Sequence, residues 1–200
     1  MNSDFLSDSE YNDQELTNLV YTDTSLEGVR FYDCRFVACN FSGSDIRECV
    51  FTDCTFINCN LSVVKFDRSR FSETDFESCK LIGVDWTRAR WPDVKISSPV
   101  HFYQSVLSDS SFFGLYLREI RINECKLHGV DFSEADCAEG YFGESDLLNS
   151  KFHHTNLKRA DFTNASNYNI DVYTNELKGA RFSLPEAVSL LNGLDISLIK

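Results

Sequence analysis

A large apolar residue returns at every fifth position of this chain, and this period limits the possible folds more than any other feature. From Phe31 to Leu81 the apolar centres follow one another without a break, and the residue two places before each centre is small or thin. Five residues match neither the 3.6-residue period of an α-helix nor the alternation of a flat strand. They fit a chain that turns a corner after each pentapeptide, so that four pentapeptides close one square coil of a solenoid.

The five-residue period governs nearly the whole sequence. It runs from Leu16 to Ile96, takes one six-residue step to Phe102 and continues to Phe162, and 14 of the 17 phenylalanines occupy centres. In this it resembles the pentapeptide-repeat family, and the resemblance covers residues 16–182. It implies an all-β solenoid, a right-handed quadrilateral β-helix, to which the C-terminal sequence adds a short α-helical cap and dimerisation segment.

Three segments are predicted along the chain. Residues 1–14 carry four acids and no base and lack the period, which predicts an acidic mobile tail. Residues 15–182 form the predicted β-helix, with a kink near residues 86–102 because one added residue within 97–101 forces a bulge or bend. A binding loop is disfavoured there, since one residue is too few to build it. Residues 183–200 form the third segment.

The C-terminal segment changes to a helical period. Ser183 and Glu186 have the spacing of a capping box, which predicts an α-helix. A short strand is predicted from Leu194 to Ile199. The combined apolar surface exceeds what a terminal cap requires, so it is predicted to be a dimer interface. That interface comprises Leu184, Ala187, Val188, Leu191, Leu194, Ile196 and Leu198.

Residues 20 apart should lie above one another at about 4.8 Å, because four pentapeptides make one coil. The expected columns are Asp45, Lys65 and Asp85, continuing through Val106, Lys126 and Asp146; Arg30, Arg70 and Arg90; and Asp33, Asp53, Glu73 and Asp93. Exposed charge ladders contribute at most about 0.2–1 kcal/mol per pair. Most surface charges are therefore expected to be solvated and without a specific role.

No motif in the sequence predicts catalysis. Seven of the eight cysteines occupy small inward positions on successive walls, where they cannot converge on a zinc ion, so they are expected to be buried thiols. The four histidines match no catalytic spacing, and no phosphate-binding loop is present. The sequence predicts no enzyme, no catalytic residue, no metal site and no cofactor.

The formal net charge of −12 disfavours direct nucleic-acid binding and favours a basic protein partner. Between Lys126 and Lys151 there are six acids and no Lys or Arg, spread over most of one coil. We call these residues the acidic belt and predict that they bind the partner. They are Asp131, Glu134, Asp136, Glu139, Glu144 and Asp146.

The first ten residues are polar and acidic, unlike a signal peptide, and no apolar run approaches the roughly 20 residues needed to span a bilayer. The sequence therefore predicts a cytoplasmic protein without membrane contact.

A narrower resemblance concerns function. The C-terminal run from Asn167 to Leu198 is NYNIDVYTNELKGARFSLPEAVSLLNGLDISL, and it resembles the C-terminal module of the gyrase-protecting group of the family. Trp86, Trp91 and the stretch SFFGLYL from Ser111 to Leu117 resemble the albicidin self-resistance branch of that group.

The resemblance implies a homodimer whose acidic rod imitates duplex DNA, binds a type II topoisomerase such as DNA gyrase, and protects it from drugs that trap the cleaved complex. The alternative is a scaffold or regulatory interaction protein with another partner, because the repeat specifies shape and not partner.

Overall fold

The protein is a parallel β-solenoid of about eight turns, which confirms the predicted fold class. The computed structural model describes residues 7–93, 97–194, 196 and 199. Successive coils pair at a separation of 20 residues except at one longer coil, so that Phe31 lies beside Phe51 and Phe51 beside Phe71. All strand pairs are parallel, as stacking of successive coils requires.

The strands are short because each covers one wall of a coil. They are β1 (Glu10–Asn12), β2 (Glu15–Thr17), β3 (Ser25–Glu27), β4 (Arg30–Tyr32), β5 (Arg35–Val37), β6 (Asp45–Arg47), β7 (Val50–Thr52), β8 (Thr55–Ile57), β9 (Arg70–Ser72), β10 (Thr74–Glu77), β11 (Val100–Tyr103), β12 (Ile122–Asn123), β13 (Asp161–Phe162) and β14 (Arg181–Phe182). Two 3₁₀ helices span Trp86–Arg88 and Glu186–Leu194. The sheet orders are β1-β4-β7-β9, β12-β11-β10-β8-β5-β2, β13-β14 and β3-β6.

Four walls surround the core, and we letter them in the order in which the chain meets them. The walls are A (centres Phe31, Phe51 and Phe71), B (Phe36, Phe56 and Phe76), C (Phe41 and Leu61) and D (Ile46 and Phe66). Aromatic centres of one wall stack, with ring centroids 5.3 Å apart for Phe31 and Phe51 and 4.5 Å apart for Phe36 and Phe56. The predicted centres therefore form one continuous core.

The cysteines line this core as predicted. In the column of Cys39, Cys59 and Cys79, the sulfurs of Cys59 and Cys79 each accept a hydrogen bond at 3.3 Å from the backbone N–H of the cysteine 20 residues earlier. All eight thiols are free and buried. Burial raises the pKa of Cys49 and of Cys125 to about 12, so both remain neutral at physiological pH. Across the described ranges no group of His, Cys, Asp and Glu could hold a metal ion.

Corners between walls adopt left-handed backbone conformations. Asp33 and Asp53 have φ values of 51° and 52°, a region in which Asp and Asn are the best tolerated non-glycine residues. The N–H of Asp33 donates to the carbonyl of Thr52 in the next coil at 3.0 Å. Corners therefore stack as regularly as the walls do, and their side chains point into solvent.

The solenoid begins earlier than predicted. Residues 10–14 do not belong to a tail, because β1 pairs with β4 and the ring of Tyr11 stacks on Phe31 at 5.4 Å. Tyr11 lies five residues before Leu16 and thus extends the apolar period by one pentapeptide. Of the predicted tail, residues 1–6 lie outside the described residues.

One coil is six residues longer than the others. Phe76 pairs with Phe102 and Lys80 with Val106, a separation of 26, whereas Phe102 again pairs with Ile122. The prediction of a single extra residue was therefore wrong, and so was the objection that the insertion is too short for a loop. Trp91 keeps the five-residue spacing within the longer coil, so spacing alone conceals the insertion. The predicted kink stays a prediction.

The long coil also shifts the predicted columns. Asp85 bridges Ser111, which in turn bridges Asp131, so the column of Asp45 and Lys65 does not continue through Val106. Val106, Lys126 and Asp146 instead follow Lys80 on wall C.

The C-terminal helix is a 3₁₀ helix and not the predicted α-helix. Ser183 and Glu186 do not form a capping box: the Ser183 hydroxyl accepts from the Asn164 N–H at 3.1 Å, and the Glu186 carboxylate from the Asn167 N–H at 2.6 Å. These side chains cap the last coil, since its N–H groups lack a further coil to bind. Much of the predicted strand 194–199 lies outside the described residues. Nowhere in the described chain is a helix long and apolar enough to cross a membrane.

Candidate partner-binding surface

The six acidic-belt residues encircle the rod in one coil. Asp131 lies on wall D, Asp136 on wall A and Asp146 on wall C, as their bridges to neighbouring coils show. Glu134 and Glu144 occupy corners on opposite sides of the coil, with φ values of 60° and 57°. A flat partner surface can therefore contact only part of the belt at once.

Contacts within the chain neutralise part of the belt. Glu139 forms ion pairs with Arg159 and Arg118, and their hydrogen bonds lower the pKa of its carboxyl. Asp136 accepts a hydrogen bond from Asn156 at 2.8 Å. Asp146 approaches the His128 ring nitrogen at 2.6 Å. Of the six belt residues, Glu134, Glu144 and Asp131 have no ion pair or contact of this kind to another coil among the described residues, so the belt carries less free charge than its sequence indicates.

A second acidic array runs along the rod at the corner between walls A and B. We call it the acidic ridge; its members are Asp13, Asp33, Asp53, Glu73, Glu119 and Glu139. The corner N–H groups of Asp13, Asp33 and Asp53 donate to the coil above at 3.0–3.1 Å, so these residues stack directly. Between Glu73 and Glu119 this corner is occupied by Pro99, because Thr74 pairs with Val100. The ridge therefore crosses the long coil without changing corner.

The N-terminal part of the ridge is uncompensated. Asp13, Asp33, Asp53 and Glu73 are exposed, and no cationic group of the described residues lies within 4.0 Å of them. Glu119 lies 3.8 Å from the Arg118 guanidinium. Like charges directly opposite on neighbouring strands oppose folding. The left-handed corners favour Asp, but Asn fits them equally, so the fold does not explain the charge of the ridge.

A groove of about 700 Å³ lies beside the ridge on wall B. Asp53, Glu73 and Asp75 contribute to its lining, together with His101 and Arg121. Burial lowers the pKa of His101, which also accepts a hydrogen bond from the Arg121 N–H at 3.2 Å. His101 is therefore neutral at physiological pH, and Arg121 is the one permanent cation among the described lining residues.

Comparisons with known proteins agree with this architecture. A model described as a pentapeptide repeat region matches residues 29–99, and a model of eight pentapeptide repeats matches residues 125–164. Together they cover more than half of the sequence. The chain belongs to the pentapeptide-repeat family. No curated protein matches this pentapeptide-repeat protein significantly.

Solved structures with the same fold include QnrB1 and HetL. A trypsin-treated variant of QnrB1, a plasmid-mediated fluoroquinolone resistance protein, matches with a TM-score of 0.63 and 19% identity over 92% of this chain and 100% of that chain. HetL, involved in heterocyst differentiation regulation in the cyanobacterium Nostoc sp. strain PCC 7120, matches with a TM-score of 0.55 and 18% identity over 86% of each chain. At such identities the likeness shows the fold alone.

The ridge was only partly visible in the sequence. Asp33, Asp53 and Glu73 were expected to share a column, but Asp93 was expected as its next member and the column was interpreted as ordinary solvated charge. Asp93 instead follows Trp91 and Pro92 and lines a groove on wall A. The 26-residue separation in the long coil hid Glu119 and Glu139, which a 20-residue register places elsewhere.

Proposed function

We propose that this pentapeptide-repeat protein is a non-enzymatic DNA mimic that binds a bacterial type II topoisomerase, DNA gyrase, and protects it from antibiotics that trap the cleaved complex. The acidic ridge carries the proposal. Its carboxylates from Asp13 to Glu73 form a lengthwise row without ion pairs among the described residues; this row costs folding energy, and a basic partner surface would recover it. The sequence resemblance to the gyrase-protecting group and the fold shared with QnrB1 support the same choice.

The charge density of the ridge approaches that of one DNA strand. Six steps of about 4.8 Å separate Asp13 from Glu139, a length of about 29 Å. One strand of B-DNA places a phosphate every ~3.4 Å, or about eight or nine over this length. The ridge offers six carboxylates in a lengthwise row, roughly two-thirds of that number, of which Glu119 and Glu139 face arginines. The belt, which encircles the rod, offers no such row.

The same charges argue against direct nucleic-acid binding. A protein with a net charge of −12 repels DNA. The basic DNA-binding surface of an enzyme, in contrast, attracts such a protein. The proposal places the protein in the cytoplasm with its partner. It requires no catalytic residue, metal or cofactor, and no membrane contact.

We also infer that two copies join through the C-terminal segment. Leu184, Val188 and Ile196 are 80%, 41% and 55% exposed, an apolar surface that a second copy would cover. Ala187, Leu191 and Leu194 are half-buried, and Leu198 lies outside the described residues. A symmetric dimer doubles the length of the acidic rod.

A matched pair of double variants tests the ridge. Asp33→Asn with Asp53→Asn removes two ridge charges, and Asn keeps the left-handed corners at φ 51° and 52°. The control, Asp23→Asn with Asp109→Asn, removes two charges from left-handed corners at 52° and 60° on the diagonally opposite edge. We expect the ridge variant to bind gyrase at least tenfold more weakly and to lose protection in a supercoiling assay with a gyrase poison. The control should bind and protect normally.

Two further measurements vary the salt concentration and the charge of the acidic belt. Binding by the wild type should weaken as salt rises, because exposed charges are screened over about 8–10 Å at physiological ionic strength. Conversion of Glu134, Asp136 and Glu144 to their amides tests the belt apart from Glu139, which also belongs to the ridge; loss of binding confined to this variant would place the contact on the belt. Wild-type binding by every folded variant at low salt would refute the DNA-mimic proposal.

A scaffold or regulatory interaction protein is the second candidate. HetL has the same fold and is involved in heterocyst differentiation regulation. The repeat determines a rod and leaves the choice of partner to surface side chains. The two candidates differ in one measurement: a scaffold would neither bind gyrase nor restore supercoiling in the presence of a gyrase poison.

A further inference from the structure

Most arginines of the solenoid face a carboxylate of the adjacent coil. The pairs 20 residues apart include Arg30 with Glu10 at 3.6 Å, Arg35 with Glu15 at 3.8 Å, Arg68 with Glu48 at 2.6 Å and Arg181 with Asp161 at 3.2 Å. Each pair contributes little to stability, but the pattern leaves few arginines of the described chain uncompensated. Exceptions to this pattern are therefore informative.

Arg70 and Arg90 are two such exceptions on wall A. Arg70 lies above Val50, and the Arg90 N–H donates to the Ser69 carbonyl at 2.8 Å, so the two arginines occupy adjacent coils. Both are exposed, and no carboxylate oxygen of the described chain lies within 4.0 Å of either guanidinium. Two uncompensated cations thus stand side by side on a strongly acidic protein.

The same two arginines line a groove of about 310 Å³ between wall A and the start of the insertion. Phe71, Trp91 and Pro92 supply its apolar lining. The Trp91 indole N–H donates to the Trp86 carbonyl at 2.9 Å, which fixes the orientation of the half-buried ring. The volume suits a few side chains, near the lower end of ligand clefts at about 300 Å³.

We propose that this groove docks a short acidic segment of a protein partner. Its carboxylates would pair with Arg70 and Arg90, whose planar guanidinium groups favour bidentate carboxylate contacts. An apolar side chain next to those carboxylates would pack on Trp91 and Pro92. The groove is separate from the acidic ridge, and it requires an acidic partner segment where the ridge requires a basic partner surface. The proposal for the groove therefore does not depend on whether the ridge binds a topoisomerase.

The surrounding charges favour a peptide over a nucleic acid. Asp93 lines the groove, and the ridge acids Asp53 and Glu73 follow β7 and β9, the strands that carry the groove wall. An extended polyphosphate leaving the groove in that direction would meet these carboxylates. A segment with one or two negative charges fits between them and reaches both arginines.

Titration with a blocked tripeptide, acetyl-Glu-Phe-Glu-amide, tests the site by NMR. The Trp91 indole N–H and the Arg70 and Arg90 Nε–H signals should shift in a saturable manner, while the signal of fully buried Trp86 should move less. Arg70→Gln with Arg90→Gln should weaken binding at least tenfold. Arg121→Gln should leave it unchanged, because Arg121 is also uncompensated but lies on wall B.

Three outcomes would overturn the proposal. Equal binding of acetyl-Gln-Phe-Gln-amide would show that the groove does not recognise the carboxylates of the peptide. Tighter binding of inorganic phosphate or of a short single-stranded oligonucleotide would identify a phosphate site. Unchanged signals of Trp91 and both arginines up to millimolar peptide, with the fold intact by circular dichroism, would show that the groove does not bind acidic segments.

Discussion

At the scale of single residues, the aromatic centres bear the largest share of the packing. Phe51 is 2% exposed, and its ring stacks between Phe31 and Phe71 with centroids 5.3 Å away on each side. It also meets Phe56 edge-on at 5.6 Å. Such a ring fixes the register of three successive coils.

We expect Phe51→Ala to lower the free energy of unfolding by about 3–5 kcal/mol. The substitution leaves a cavity between the rings of Phe31 and Phe71, and the stacked coils cannot move together to fill it. The control is Ser72→Ala, an exposed position on β9, which should change stability by less than about 0.5 kcal/mol. Denaturant titration measures both. Equal midpoints for Phe51→Ala and the wild type would contradict the assignment of Phe51 to the stacked core.

Inward residues could be predicted because a period of five fixes which two of every five positions face the core. The burial of Cys39 and Phe51 follows from that count alone. Partners across the insertion could not be predicted in this way. Trp91 has the size and spacing of a centre, yet it is only half-buried, and the pairing of Phe76 with Phe102 reveals that its coil is longer than the others. Sequence spacing reports distance along the chain and not which coil a residue joins.

At the scale of elements, the C-terminal turn closes the last coil through side chains. Glu186→Ala should remove the charge-assisted acceptor of the Asn167 N–H, a loss of about 1–2 kcal/mol to local stability. We expect faster hydrogen exchange at Asn167 and unchanged exchange at Phe51. Glu176→Ala is the control, since this exposed residue pairs only with Lys158, at 2.8 Å. Similar exchange at Asn167 in both variants would argue against the capping role.

The start of this element was predictable, and its form was not. Ser183 and Glu186 have the spacing that begins many helices, and the turn does begin there. Their side chains bind Asn164 and Asn167, which lie 19 residues earlier. The N–H groups of the last coil therefore compete with the first turn of the helix for these two side chains. No local sequence pattern indicates this competition.

At the scale of the whole molecule, assembly decides the length of the acidic surface. About eight coils at ~4.8 Å give a rod of roughly 38 Å, and end-to-end dimerisation gives about 75 Å. We expect Leu184→Glu with Val188→Glu to yield monomers of 22.9 kDa in light scattering, whereas the wild type should show twice that mass.

Val63→Glu is the matched control, because Val63 is 55% exposed on the side of the rod, away from the C-terminal segment. It should leave the mass of the assembly unchanged. A wild-type protein that is already monomeric at micromolar concentration would rule out the dimer, and would leave the ridge of a single rod as the whole contact surface.

The left-handed corners have a consequence for how such a rod changes over generations. Asp and Asn both accept this backbone conformation, and corner side chains such as Asp33 point away from the core. A single exchange between them alters one unit of charge while the ladder beneath stays the same. Single substitutions at the corners can therefore change the surface charge of the rod one position at a time. A lineage could acquire or abandon a partner without passing through an unstable intermediate.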